Sequence, residues 1–305
     1  MAVKRIAKQG ITHPFGDHRS VKQAFPAAIP TEEADPFLMC DYFDMPERVG
    51  PVEDPDDFPI GWHPHRGFDI ASYLKSGIGR HGDSLGNRET YETPGMQWMS
   101  TGSGVMHAEG GATPKGVVTQ GFQIWINVPA DRKMEDPRYG TVPTKDLPNI
   151  DIGKGAKARV LAGSTYDTKG PFETTQPVLM VDFELEENSS AAVTIPEEMD
   201  TAMLYVYEGT LKSLNSHDDK IEAGYIALLD ATKEEQRSIE MASGDSSGKA
   251  ILFAGKKLRE PIAWHGPIVM NTDDQLHQTF QEIRSGAFPW VRVDWDYRRI
   301  ATKPK

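Results

Sequence analysis

Residues 63–68, HPHRGF, and residues 105–110, VMHAEG, decide how this chain is read. Each holds two metal-ligating side chains at i and i+2, His63 with His65 and His107 with Glu109. Successive side chains on a β-strand alternate between faces, so each pair points one way. Two such pairs on neighbouring strands would converge as three imidazoles and one carboxylate. A nitrogen and oxygen donor set without thiolate suits a divalent transition metal and leaves positions open for chemistry. Fe, Mn, Co, Ni and Zn are all compatible with it.

Outward from these pairs the first half reads as short strands between turns. Residues 67–74 place Phe68, Ile70 and Ser72 on one face. Glu92-Thr93-Pro94-Gly95 is expected to be a type II turn, with Gly95 at positive φ. Residues 96–99 and 105–109 follow as strands, and residues 121–129 set Phe122, Ile124, Ile126 and Val128 on one side. His81, in the glycine-containing run RHGDSLGN, is expected in a loop as a hydrogen-bonding group. Many short strands with regular turns predict a β-sandwich or barrel.

Residues 130–157, polar and broken by proline and glycine, read as an interdomain connection. The strand pattern resumes at 178–183, 203–207, 225–229 and 250–254. The second half carries His217, His265 and His277, none with a His or Glu partner at i+2, so a β-domain without a metal set is expected there. The predicted division is therefore 1–140 for the metal-binding domain and 141–305 for the second domain with its helix and tail. That helix is signalled by Thr272 and Gln275 as a capping box, by Leu276, Phe280 and Ile283 at helical spacing, and by Gly286 as its stop. Val291, Val293, Trp295 and Tyr297 alternate with charged residues, as a late strand or an ordered tail. The basic residues of that tail, among them Lys303 and Lys305, read as a solvated end.

At 305 residues and 38% hydrophobic, the chain is long enough for two globular domains. A formal charge of −12 repels phosphate backbones at long range and argues against direct nucleic-acid binding. The one cysteine, Cys40, excludes an intrachain disulfide and sits in the apolar run Phe37-Leu38-Met39-Cys40, as a small buried hydrophobe. Residues 1–10 hold no apolar signal core and no run reaches eighteen apolar residues, which leads to the expectation of a cytoplasmic protein without a membrane partner.

The stretches HPHRGF (63–68), ETPGMQWMSTGSGVMHAEG (92–110) and GFQIWINVP (121–129) resemble the pirin family of the cupin superfamily. DPFLMCDYF (35–43), GPIVMNT (266–272) and FQEIRSG (280–286) are similar to the same family. The resemblance implies an all-β bicupin of two jelly-roll barrels, with mononuclear Fe(II) in the first. Its ligands would be His63, His65, His107 and Glu109. Asp69 stands four residues after His65, where the general cupin motif has a glutamate ligand. The family's carboxylate comes instead from the HAE triplet, so Asp69 is read as a buried hydrogen-bonding group. The resemblance also implies quercetin 2,3-dioxygenase activity on a flavonol-like substrate with O₂. Glu109 would then be the catalytic base as well as a ligand. The alternative it carries is a metal- or redox-dependent regulator acting through protein partners.

Overall fold

The computed structural model describes residues 1–10, 13–15, 18–45, 58–111, 118–215, 219–232 and 237–299. His217, Lys303 and Lys305 lie outside them. The chain divides into two compact units, one of residues 1–11, 22–42 and 145–258, the other of 12–21, 43–144 and 259–305. The chain passes from one unit to the other at 144/145, and each unit also takes in a remote end of the chain. The strand Val3–Lys8 pairs with Tyr225–Leu229, which ties the N-terminus to the later unit. Residues 259–305 belong with 43–144, so His265 and His277 lie in the unit that carries the two ligand pairs.

Among the described residues of that unit's 58–144 stretch the strands run in order β1 (Ile60–His65), β2 (Phe68–Ser76), β3 (Ile78–Asp83), β4 (Arg88–Glu92), β5 (Gly95–Ser100), β6 (Val105–Gly111), β7 (Thr119–Asn127) and β8 (Arg138–Val142). One antiparallel sheet has the order β1-β6-β3-β4, and a second antiparallel run has β8-β5-β2-β7. Both faces of β7 are buried, with Phe122 stacked on its cross-strand partner Tyr73 at 6.1 Å. Aromatic cross-strand pairs of this kind contribute roughly 0.2–1 kcal/mol each.

Three local expectations are corrected. The segment around His81 is strand β3 rather than a loop. Its Gly79 serves close packing, since a Cβ there would stand 2.1 Å from the Tyr91 ring. At 92–95 the Thr93–Pro94 peptide is cis, and Gly95 has no positive φ. Residues 130–157 are not a plain connection, because they contain β8 and Asn149–Gly153, which pairs with Ala156–Ala162.

The C-terminal helix α1 (Asp273–Ser285) forms as the sequence indicates. Thr272 and Gln275 make the reciprocal capping box, and Gly286 closes it at φ 77°. Leu276 packs with Ile268 and Met270, while Phe280 and Ile283 lie against them half-buried. Among the described residues the tail after α1 holds no strand. It is an ordered strap: Val293 N–H donates to Ser84 O at 2.9 Å, and Tyr297 and Phe288 bury against Met106 beside Trp62.

In the other unit β9 (Asn149–Gly153), β10 (Ala156–Ala162), β11 (Val178–Leu185), β12 (Thr201–Ser213), β13 (Tyr225–Leu229) and β14 (Ser238–Gly255) build one sheet in the order β13-β12-β14-β11-β10-β9. Its core takes every second residue: Leu179, Val181 and Phe183 from β11, Leu204 and Val206 from β12, Leu252 and Ala254 from β14. Each large apolar side chain buried there contributes about 1.5–3 kcal/mol. Cys40 is buried, and burial pushes its thiol pKa well up. No helix among the described residues is long and apolar enough to cross a membrane.

Candidate metal centre

Strand pairing brings His63, His65 and His107 together as the spacing predicts, while Glu109 stands apart from them. β1 and β6 are antiparallel neighbours with His63 opposite His107 and His65 opposite Val105. The register shifts between His107 and Glu109, which then faces Ile60 on one side and His81 on the other. One ring nitrogen from each of His63, His65 and His107 lies within 4.8 Å of the other two, close enough to share a metal ion. His65 and His107 are 1% and 0% exposed, and His63 is half-buried.

Tautomers follow from the outer hydrogen bonds. His63 Nδ1 meets Gly61 O at 2.7 Å, and His65 Nδ1 meets Pro267 O at 3.0 Å. A carbonyl only accepts, so each Nδ1 carries the proton and each Nε2 keeps a lone pair. His65 Nε2 is buried with no partner among the described residues, and His63 Nε2 faces His107 Nε2 at 2.9 Å. A divalent cation satisfies all of these nitrogens at once, and backbone carbonyls on the far ring nitrogen are the usual support of metal-binding histidines. The residues therefore fit a metal ion. Burial, reinforced by the neighbouring His63, holds the pKa of His65 and of His107 well below the ordinary imidazole range. Both rings are thus neutral and able to ligate near pH 7.

Glu109 does not join the three nitrogens within that distance. It is buried, and its two oxygens accept from Gln123 Nε2 at 3.0 Å and Gln97 Nε2 at 3.1 Å. The Tyr139 hydroxyl donates to Gln97 Oε1 at 3.2 Å, which turns the amide NH₂ of Gln97 toward Glu109. Gln97 and Gln123 come from β5 and β7, so the carboxylate is held across the two strand layers of this unit. His81 lies flat on Tyr139 at 3.9 Å and donates from Nε2 to Asp83 Oδ2 at 2.9 Å. Asp69 is buried, and its charge favours the protonated forms of Lys133 and Arg132.

An aromatic wall stands beside His65. Its ring is 5.4 Å from Phe68 and 5.2 Å from Trp125, and Trp264 lies 5.9 Å beyond Trp125. The Trp125 Nε1–H is buried without a hydrogen-bond partner among the described residues. Sequence reading named neither tryptophan. The signal was present in β7, where Gln123 and Trp125 occupy the face opposite Phe122 and Ile124.

Two family models match this chain, Pirin over residues 18–126 and the Pirin C-terminal cupin domain over residues 180–289. The chain belongs to the pirin family. It is therefore an all-β protein of two cupin domains with a short C-terminal helix. A Pseudomonas aeruginosa protein named "Putative quercetin 2,3-dioxygenase PA3240" is 33% identical over 90% of this chain and 94% of its own. A pirin-like protein of Caulobacter vibrioides is 30% identical over 94% of this chain and 100% of its own. A crystal structure of quercetin 2,3-dioxygenase from Acinetobacter baumannii superimposes with a TM-score of 0.84 at 28% identity, covering 94% of this chain and 98% of that one.

Proposed function

We propose that this protein is a mononuclear iron dioxygenase that opens the heterocycle of a flavonol-like substrate with O₂. The observation that carries the reading is the convergence of three imidazole nitrogens, two with tautomers fixed from the backbone, beside the Phe68–Trp125–Trp264 wall. The names of the Pseudomonas and Acinetobacter relatives support the substrate class.

His63, His65 and His107 would hold the ion, with Glu109 as the carboxylate member of the set. When bound, the ion supplies Lewis-acid stabilisation of a substrate oxyanion and an accessible redox change, which favours Fe(II) over zinc. Glu109 takes the proton of the flavonol 3-hydroxyl, a step suited to a carboxylate within hydrogen-bond reach. Gln97 and Gln123 orient that carboxylate by donating to its two oxygens. Trp125, backed by the buried Phe68 ring, forms an aromatic wall for the substrate rings, and its N–H is available to donate to a substrate oxygen. The reaction balances as flavonol plus O₂ giving a depside and carbon monoxide. The two carbon–carbon bonds to the hydroxyl-bearing carbon break, and Glu109 returns its proton to the product.

Oxygen uptake with quercetin is the direct assay. Protein reconstituted anaerobically with Fe(II) should consume O₂ and release carbon monoxide in equal amounts, and zinc-loaded protein should not. Absence of uptake with Fe(II), Mn, Co and Ni alike would rule the activity out.

A further inference from the structure

The carbonyl that orients His65 belongs to Pro267, 202 residues further along the chain. Pro267 sits in a short segment laid directly against the turn that follows His65. Arg66 and Ile268 form a β-bridge, and Val269 N–H donates to Arg66 O at 3.1 Å. Gly67, at φ +89°, lets the two backbones touch, because a Cβ there would stand 2.0 Å from Val269 O. The buried Lys133 ammonium ties both sides, donating to Gly67 O at 2.6 Å and to Val269 O at 3.4 Å.

The Arg66 side chain fastens the same turn to α1. It is fully buried, with Nε donating to Ser103 O at 2.8 Å, Nη1 to Thr279 Oγ1 at 2.9 Å and Nη2 to Glu282 Oε2 at 2.6 Å. Its guanidinium also lies 5.0 Å from the ring centroids of both Phe288 and Trp290. A planar fork that fills three acceptors and meets two rings has one position available to it.

We infer that the Glu282–Arg66 clasp of helix α1 sets the metal affinity of the centre, by holding the Pro267 carbonyl against His65 Nδ1. This rests on the metal reading above. Glu282 and Arg66 are positioning residues: neither reaches the three nitrogens, and both act through the ring orientation and tautomer of His65. Loss of an outer hydrogen bond to a ligating histidine costs 10–100-fold in metal affinity, so removal of the clasp should cost about tenfold.

Co(II) binding to the full chain tests this, with affinity from competition against a chelator and geometry from the visible spectrum. The wild type should bind one Co(II). Glu282→Ala should bind it about tenfold more weakly with a changed visible band, and Glu282→Gln, which keeps an acceptor, should recover most of both. Thr279→Val, which removes the hydroxyl that accepts from Arg66 and donates to Gln275 O, serves if Glu282→Ala does not fold, and should give a smaller change in the same direction. Variants that fold with wild-type affinity and an unchanged band would overturn the inference while leaving the metal reading intact. Failure of the wild type to bind Co(II) would overturn both.

Discussion

Lowering the pH of the metal-free protein should destabilise the histidine-bearing unit by an amount that its burial pattern sets. His65 and His107 are buried, and their pKa values are held well below the usual 6.5 by desolvation and by the neighbouring imidazole of His63. In the unfolded chain both rings titrate near 6.5, so below that pH the unfolded state binds two protons that the folded state refuses. Stability from these groups is complete above about pH 6.5 and is lost as pH falls toward their folded-state pKa values. Between pH 7.5 and 5.5 each ring costs about 1.4 kcal/mol, or about 2.7 kcal/mol for the pair while both stay neutral in the fold. With a urea slope of about 2–3 kcal/mol per molar, the midpoint should drop by about 1 M. Tryptophan fluorescence isolates the effect, because Trp62, Trp98, Trp125, Trp264, Trp290 and Trp295, all six in the chain, lie in this unit. The double variant His65→Gln, His107→Gln should lose the dependence. A wild-type midpoint that does not move between the two pH values would refute the neutral, buried cluster.

Three other outcomes follow from the same geometry. Glu109→Gln, saturated with metal, should turn over flavonol about 10²-fold more slowly at neutral pH and recover partly at high pH, where the substrate ionises unaided; near-wild-type turnover would leave the carboxylate as a ligand only. Gly67→Ala meets both a positive φ and the Val269 carbonyl, and should cost about 2 kcal/mol or more by urea unfolding. Cys40, buried with a raised pKa, should react with a thiol reagent only after the protein is unfolded, and rapid labelling of native protein would contradict its placement.

The His63/His65 spacing and the strand around His107 made the three-imidazole cluster legible because a strand has a period of two, and the same period located β2, β5 to β7 and β11 to β14. The capping box at Thr272 and Gln275 was legible because capping is local in sequence. What escaped was non-local or carried by main chain. Pro267 contributes a carbonyl, which no side-chain pattern encodes. The exchange of chain ends rests on the pairing of Val3–Lys8 with Tyr225–Leu229, a contact between remote segments. The glycines that flank His81 signal a loop, whereas Gly79 makes room for the Tyr91 ring inside a strand. Gln97 and Gln123 carry no metal-binding signature of their own, and only the approach of β5 and β7 to Glu109 gives them a role.

The central claim is that His63, His65 and His107 bind one divalent metal ion. Elemental analysis after anaerobic Fe(II) reconstitution and desalting tests it most directly. Wild-type protein should retain one metal per chain, His63→Ala with His107→Ala should retain none, and His265→Ala should match the wild type. One metal per chain in the His63→Ala, His107→Ala protein, or none in the wild type, would contradict the account.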